Sequence, residues 1–102
     1  MMNLLLRPTA FDGEKMEDDY CVIHDGRIVG RIILASYRSW RGVYWDWYIN
    51  PPLRIPPWCR GSADSLEAAK TKFKAAWDRF YASLTPRDIE IWHHIEDRSW
   101  PK

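Results

Sequence analysis

Apolar and polar residues alternate along much of residues 19–49, and this period of two is typical of β-strands. The alternation is clearest over residues 43–49. One face of that run carries Val43, Trp45, Trp47 and Ile49, and the other carries Tyr44, Asp46 and Tyr48. The tryptophan face is predicted to point into the core, because large aromatic and β-branched residues favour the buried side of a sheet.

Two turns divide residues 19–49 into a three-stranded meander. Asp25-Gly26 stands between apolar runs and predicts a tight hairpin, because a two-residue turn requires positive φ angles. The next strand is predicted over residues 27–37, and its alternation slips at Gly30. A β-bulge there would bring Val29 and Ile32 to the same face. The second turn is predicted at residues 39–42.

The segments beside the meander are less regular. Residues 3–7 predict a short strand that ends at Pro8, and residues 9–18 predict a polar, acidic loop. Residues 50–63 contain two Pro-Pro pairs, and proline lacks the N–H group that a sheet ladder requires. We therefore expect a Pro-rich extended loop in residues 50–63, with polyproline-like stretches.

Apolar residues recur at every third or fourth position of residues 65–84, which predicts an amphipathic helix with Asp64 or Ser65 as its N-cap. The stripe comprises Leu66, Ala69, Phe73, Ala76, Trp77, Phe80 and Leu84. Thr85-Pro86 predicts the start of a shorter helix over residues 86–97. The predicted fold is one α+β domain over residues 1–102: a three- or four-stranded antiparallel β-meander packed against one long amphipathic helix, plus a short C-terminal helix.

Charge is balanced overall and uneven along the chain. The net charge is +1, which gives no general attraction to nucleic acid or membranes. Residues 9–25 carry six acidic residues and one lysine, a net charge of −5. Residues 26–63 carry six arginines and one aspartate, a net charge of +5. The simpler expectation is that the two blocks neutralise each other across the sheet, and the alternative is an arginine-rich binding patch.

The cysteines and histidines predict no metal or cofactor. Cys21 and Cys59 are two thiols, too few for a zinc site, and adjacent His93 and His94 diverge on a helix. Cys59 lies beside Arg60, which would favour a thiolate, but no motif supplies a base. The chain has no apolar run long enough for a membrane span and no targeting signature, so we expect a cytoplasmic protein with reduced thiols.

Several motifs in order along residues 19–97 resemble a family of small uncharacterised proteins of soil proteobacteria. They are Asp19-Tyr20-Cys21-Val22, Asp25-Gly26-Arg27-Ile28-Val29-Gly30-Arg31-Ile32, Trp45-Asp46-Trp47 and the alanine-rich helix that contains Trp77. The resemblance implies no activity, cofactor or catalytic residue. The strand and helix order is also similar to the arm-binding domains of phage-type integrases, a likeness of fold that implies no function.

Arginine and tryptophan cluster near the second turn and in the Pro-rich loop, a pairing that suits flat partners through stacking and bidentate hydrogen bonds. The candidate binding residues are Arg31, Arg38, Trp40, Arg41, Trp58 and Arg60. They predict a non-enzymatic binding module for protein or single-stranded nucleic acid. The alternative is a small ligand-binding protein or enzyme with a pocket between helix and sheet, with candidates Tyr20, Trp45, Trp47 and Cys59. A homodimer through Trp92 and Ile95 is a third interpretation.

Overall fold

The alternating segments form five antiparallel strands that pair in the order in which they occur along the chain. The computed structural model describes residues 4–11, 13–35 and 44–99. The strands are β1 (Leu5–Phe11), β2 (Glu14–His24), β3 (Arg27–Leu34), β4 (Trp45–Ile49) and β5 (Arg60–Ala63). The helices are α1 (Leu66–Ser83) and α2 (Pro86–Ser99), and Pro57–Cys59 form one 3₁₀ turn. The α+β class and the antiparallel sheet are confirmed, but the prediction of three or four strands is wrong.

The first two strands are longer than the sequence predicts. Residues 9–18, expected to be a loop, continue β1 past Pro8 and begin β2, with Gly13 at φ +83° in the turn. Pro8 is tolerated because β1 is an edge strand. The register shifts between Pro8 and Ala10, and Asp18 on the opposite strand adopts φ 54°. The irregularity lies beside Thr9, whose hydroxyl hydrogen-bonds Asp19.

The turn and bulge between β2 and β3 match their predictions. Asp25 and Gly26 have φ angles of 51° and 77°, the left-handed pair that a tight hairpin requires. Val22 pairs with Gly30 and Ile23 with Ile28, so Val29 is the extra residue of a bulge. A Cβ atom at Gly30 would lie 2.3 Å from the Tyr48 carbonyl oxygen and 2.5 Å from the Phe73 ring. Only glycine lets α1 approach β3 this closely.

The fifth strand lies where the sequence predicts only a Pro-rich loop. Residues 60–63 pair with β4, from Tyr48 opposite Arg60 to Trp45 opposite Ala63. The segment Arg-Gly-Ser-Ala is short and has low strand propensity, so no alternation marks it. Pairing with β4 stabilises it instead, because the 3₁₀ turn that precedes it returns the chain to the sheet.

The helix α1 covers one face of the sheet and closes the core. Ser65 is its N-cap and accepts a hydrogen bond from the Ala68 N–H. The predicted stripe is buried at Ala69, Phe73, Ala76, Trp77 and Phe80. The rings of Trp47 and Phe73 pack edge to face at 6.1 Å, so the tryptophan face of β4 and the helix stripe meet as predicted.

The helix α2 packs on the same core. Thr85 and Asp88 form a reciprocal cap, each side chain accepting from the other's backbone N–H. Trp92 is fully buried against Trp77, with ring centroids 5.9 Å apart. The homodimer contact predicted through Trp92 is therefore corrected, because this side chain is buried within its own chain, whereas Ile95 is 40% exposed. Neither helix has the length and apolarity to cross a membrane, within the part of the chain described.

Candidate functional site

The sheet face that points away from α1, here called the outer face, carries the polar residues of the central strands. Pairing places Cys21 opposite Arg31, Arg31 opposite Tyr48, and Tyr48 opposite Arg60. Residues two positions away share this face, and they include Asp19, Ile33, Asp46 and Ser62. Side chains from β1 to β5 thus form one layer, because successive residues of a strand point to opposite faces.

An ion pair lies at the centre of the outer face. The Arg31 guanidinium donates its Nε–H to Asp19 Oδ1 at 2.7 Å and an Nη2–H to Asp19 Oδ2. The Thr9 hydroxyl donates to Asp19 Oδ1 at 2.7 Å. Asp19 is only 1% exposed, whereas the Arg31 side chain is 36% exposed. The pair fits the expectation that the acidic and basic blocks neutralise each other.

The electrostatics of this pair follow from its contacts. Burial raises the pKa of Asp19, but the hydrogen bonds from Arg31 and Thr9 and the Arg31 charge lower it by more, so its pKa is below the ordinary value. The pKa of Arg31 is raised, first by its hydrogen bonds to Asp19, against a lowering by burial, and further by Tyr48. Arg31 is thus committed to Asp19 and is poorly placed to bind a partner directly.

A groove runs along β4 and β5 beside this pair, here called the β4–β5 groove. One part of about 460 Å³, its polar half, is lined by Ile33, Asp46, Tyr48, Pro57, Arg60 and Ser62 among others. A second part of about 490 Å³, its apolar half, is lined by Ile49, Ile55, Pro56 and Cys59 together with Tyr48, Pro57 and Arg60. Because the two halves share these last three residues, they adjoin. Clefts of this size are typical of binding sites.

The structure places the three described binding residues in three different environments. Arg60 is exposed in the groove, and no described residue pairs with its guanidinium. Trp58 is half-buried against the core, with the Arg79 guanidinium 4.0 Å from its ring centroid. Arg31 belongs to the ion pair. The other three, Arg38, Trp40 and Arg41, lie outside the described residues and stay a prediction.

The groove also contains residues that the prediction missed, above all Tyr48 and Asp46. The signal was present, since the alternation of β4 puts both on the face opposite the tryptophans. What the sequence lacks is a sign of β5, whose pairing brings Arg60 beside Tyr48 and Ser62 beside Asp46.

The alternative site between helix and sheet is occupied by packed side chains at the positions named for it. Trp47 and Cys59 are buried, and Tyr20 stacks on Trp45 with centroids 6.4 Å apart. Burial raises the pKa of Cys59, and the Arg79 charge only partly opposes this. The expectation that Arg60 favours a Cys59 thiolate is therefore corrected, since the buried thiol is held neutral.

In comparisons with protein-family models, with curated proteins and with solved structures, nothing matches this chain. The resemblance to small soil-bacterial proteins accordingly stays a prediction. The functional inference depends on the geometry of the groove.

Proposed function

We propose that this protein is a non-enzymatic binding module that holds an extended segment of a partner protein in the β4–β5 groove. The observation that carries the proposal is the pairing of exposed Arg60 with half-buried Tyr48 where the two halves of the groove meet. Arginine and tyrosine are enriched at the energetic centres of protein interfaces, because they combine apolar area with hydrogen bonds.

The charges of the outer face favour a protein segment over nucleic acid. Binding to a phosphate backbone requires several free cations. On this face Asp19 neutralises Arg31, and Asp46 lies in the same groove as Arg60. Exposed Arg7, opposite Cys21, is on the edge strand β1 and not in the groove. At the end of the sheet, Asp97 pairs with Arg27 at 3.0 Å. In the groove, a polyanion would therefore be attracted by one described cation, Arg60, and repelled by one carboxylate, Asp46.

The network behind the groove supports the same proposal. Asp19 holds Arg31 by two hydrogen bonds, and Tyr48 lies directly opposite Arg31 on the neighbouring strand. The guanidinium beside the aromatic ring is therefore fixed before a partner arrives. Such preorganisation reduces the entropy lost on binding.

Selection of random peptides on the full-length protein, followed by fluorescence polarisation, tests the proposal. We expect peptides to bind, and Arg60→Ala to weaken their binding roughly tenfold or more, as at an interface hot spot. The matched control is Arg87→Ala, an exposed arginine on α2 outside the groove. Short single-stranded DNA and RNA are tested alongside, at two salt concentrations.

Three results would overturn the proposal. The first is that no peptide is selected. The second is binding that is unchanged in Arg60→Ala. The third is tight, salt-sensitive binding of oligonucleotides without binding of peptides, which would move the function to nucleic acid and to the predicted cations Arg38 and Arg41.

A further inference from the structure

The two charged residues of the β4–β5 groove have a fixed spacing. Tyr48 pairs with Arg60 and Asp46 with Ser62, all four on the outer face. Diagonal neighbours on two antiparallel strands lie roughly 7–8 Å apart, so the Cα atoms of Arg60 and Asp46 are separated by about this distance. Residues two positions apart in an extended chain are separated by about 7 Å. The cation and the carboxylate therefore match the repeat of an extended peptide laid along the groove.

Neither charge is neutralised within the described residues. Asp46 accepts a hydrogen bond from the Ser62 hydroxyl at 2.9 Å, and no described cation pairs with it. Arg60 has no described ion-pair partner. An arginine side chain is long enough to span such a diagonal, but the described residues contain no ion pair between Arg60 and Asp46. Each is left to attract an opposite charge from a ligand.

The side of Arg60 away from Asp46 is apolar. There the groove is lined by Ile55, Pro56 and Pro57. Along the groove, the order is therefore an apolar patch, then a cation beside an aromatic ring, then a carboxylate beside a hydroxyl. The groove continues on both sides of Arg60, so it suits the interior of a chain as well as its end.

We propose that the groove selects an internal, extended segment in which an apolar, an acidic and a basic residue occupy every second position. This inference rests on the proposed function and names its ligand. The acidic side chain binds Arg60 through two parallel hydrogen bonds, the strongest geometry for a carboxylate. The basic side chain pairs with Asp46, and the apolar side chain covers Ile55 and Pro57. The intervening residues face solvent.

Synthetic nonapeptides with free and with amidated ends test the spacing. The pattern peptide carries leucine, glutamate and lysine at alternate positions among serines, and it is also made in reverse order, since the groove has no assigned direction. Two controls keep its composition: one exchanges the glutamate with the lysine, and one places them next to each other. We expect one direction of the pattern peptide to bind roughly tenfold tighter than both controls.

A charge reversal sharpens the test. The variant Arg60→Glu should lose the pattern peptide and gain affinity for a peptide with lysine in place of the glutamate. Equal binding of pattern and control peptides, with loss in Arg60→Ala, would overturn the spacing and leave the proposed function standing. Binding to none of them would overturn the pattern, and it would overturn both proposals only if the selection of random peptides also failed. Binding that Arg60→Ala leaves unchanged would overturn both. Binding that requires a free carboxyl end would overturn the internal segment.

Discussion

Asp19 and Arg31 lie on neighbouring strands and form a two-point ion pair in which the carboxylate is buried and the guanidinium reaches the surface. Removing one partner of such a pair has unequal effects. A buried carboxylate left without its cation must pay for lost hydration, whereas an arginine left alone can turn toward water.

The first prediction follows from this asymmetry. We expect Arg31→Met to destabilise the fold by about 2 kcal/mol, less than the ~3–5 kcal/mol of a fully buried pair because Arg31 is partly exposed. Asp19→Asn should lower the free energy of unfolding by less than Arg31→Met does. The double variant should lower it by less than the sum of the two single effects. Urea denaturation of the four proteins measures this cycle. Additive effects would contradict a coupled pair.

The same pair makes stability depend on acid. The pKa of Asp19 is lower in the folded protein than its ordinary value of 3.8. The ionised Asp19 carboxylate therefore contributes fully to the free energy of unfolding above pH 3.8. This contribution is lost as the pH falls through the pKa of Asp19 in the folded protein. Asp19→Asn should remove this part of the acid sensitivity, as followed by circular dichroism.

We expect His24 to make the stability of the folded protein depend on pH near neutrality as well. Its ring lies 5.3 Å from that of Trp77 and 5.2 Å from that of Tyr81. Burial lowers its pKa below the ordinary 6.5, the Asp25 carboxylate opposes this, and the His93 charge adds to it. The unfolded chain therefore binds the proton more readily, and the free energy of unfolding should fall as the pH drops below 6.5.

The variant His24→Phe tests this dependence, because it keeps an aromatic ring against Trp77 and cannot titrate. The original protein should lose stability between about pH 7 and 5, where histidine ordinarily titrates, and the variant should lose less. His94→Gln is the matched control, since His94 is exposed on α2. Equal pH profiles for the original protein and His24→Phe would exclude this role for His24.

Adding one methyl group at Gly30 is expected to lower the stability of the fold strongly. In Gly30→Ala the new Cβ would overlap the Tyr48 carbonyl oxygen and the Phe73 ring, so β3, β4 or α1 must shift. We expect a loss of about 2–3 kcal/mol. Gly13→Ala is the comparison, because its Cβ would meet no atom within 4 Å and only the φ of +83° opposes it. Chemical denaturation should rank Gly30→Ala as the more damaging change.

Trp92 predicts that α2 stabilises its own chain. Trp92→Ala should cost about 3–5 kcal/mol, the usual range for a buried aromatic. Ile91→Ala, on the exposed side of the same helix, should cost about 1 kcal/mol or less. Trp92→Phe should leave the mass measured by sedimentation unchanged. A different mass for Trp92→Phe would contradict this prediction and support a contact of Trp92 between two copies of the chain.

The sequence alone determined the parts of the fold that depend on local pattern. The alternation of residues in β4 predicted its tryptophan face, and the repeat of about 3.6 residues in α1 predicted its buried stripe. Both patterns arise because one side of the strand or helix is buried away from water. Asp25-Gly26 was also predictable, since it marks positive φ angles that most residues adopt poorly. Gly30 was predictable from the slip that it causes in the alternation.

The strand pairing of distant segments, in contrast, is set only in the folded chain. The strand β5 has no pattern of its own and is formed by its hydrogen bonds to β4, so the groove that brings Arg60 beside Tyr48 and Asp46 was not readable from residues 50–63. The sequence predicted that the acidic and basic blocks neutralise each other, but the specific pair Arg31–Asp19 depends on the register of β2 and β3. The sequence gives the identity of each charged side chain. Whether that charge is neutralised depends on its neighbour on the adjacent strand, which is set by the register of the sheet.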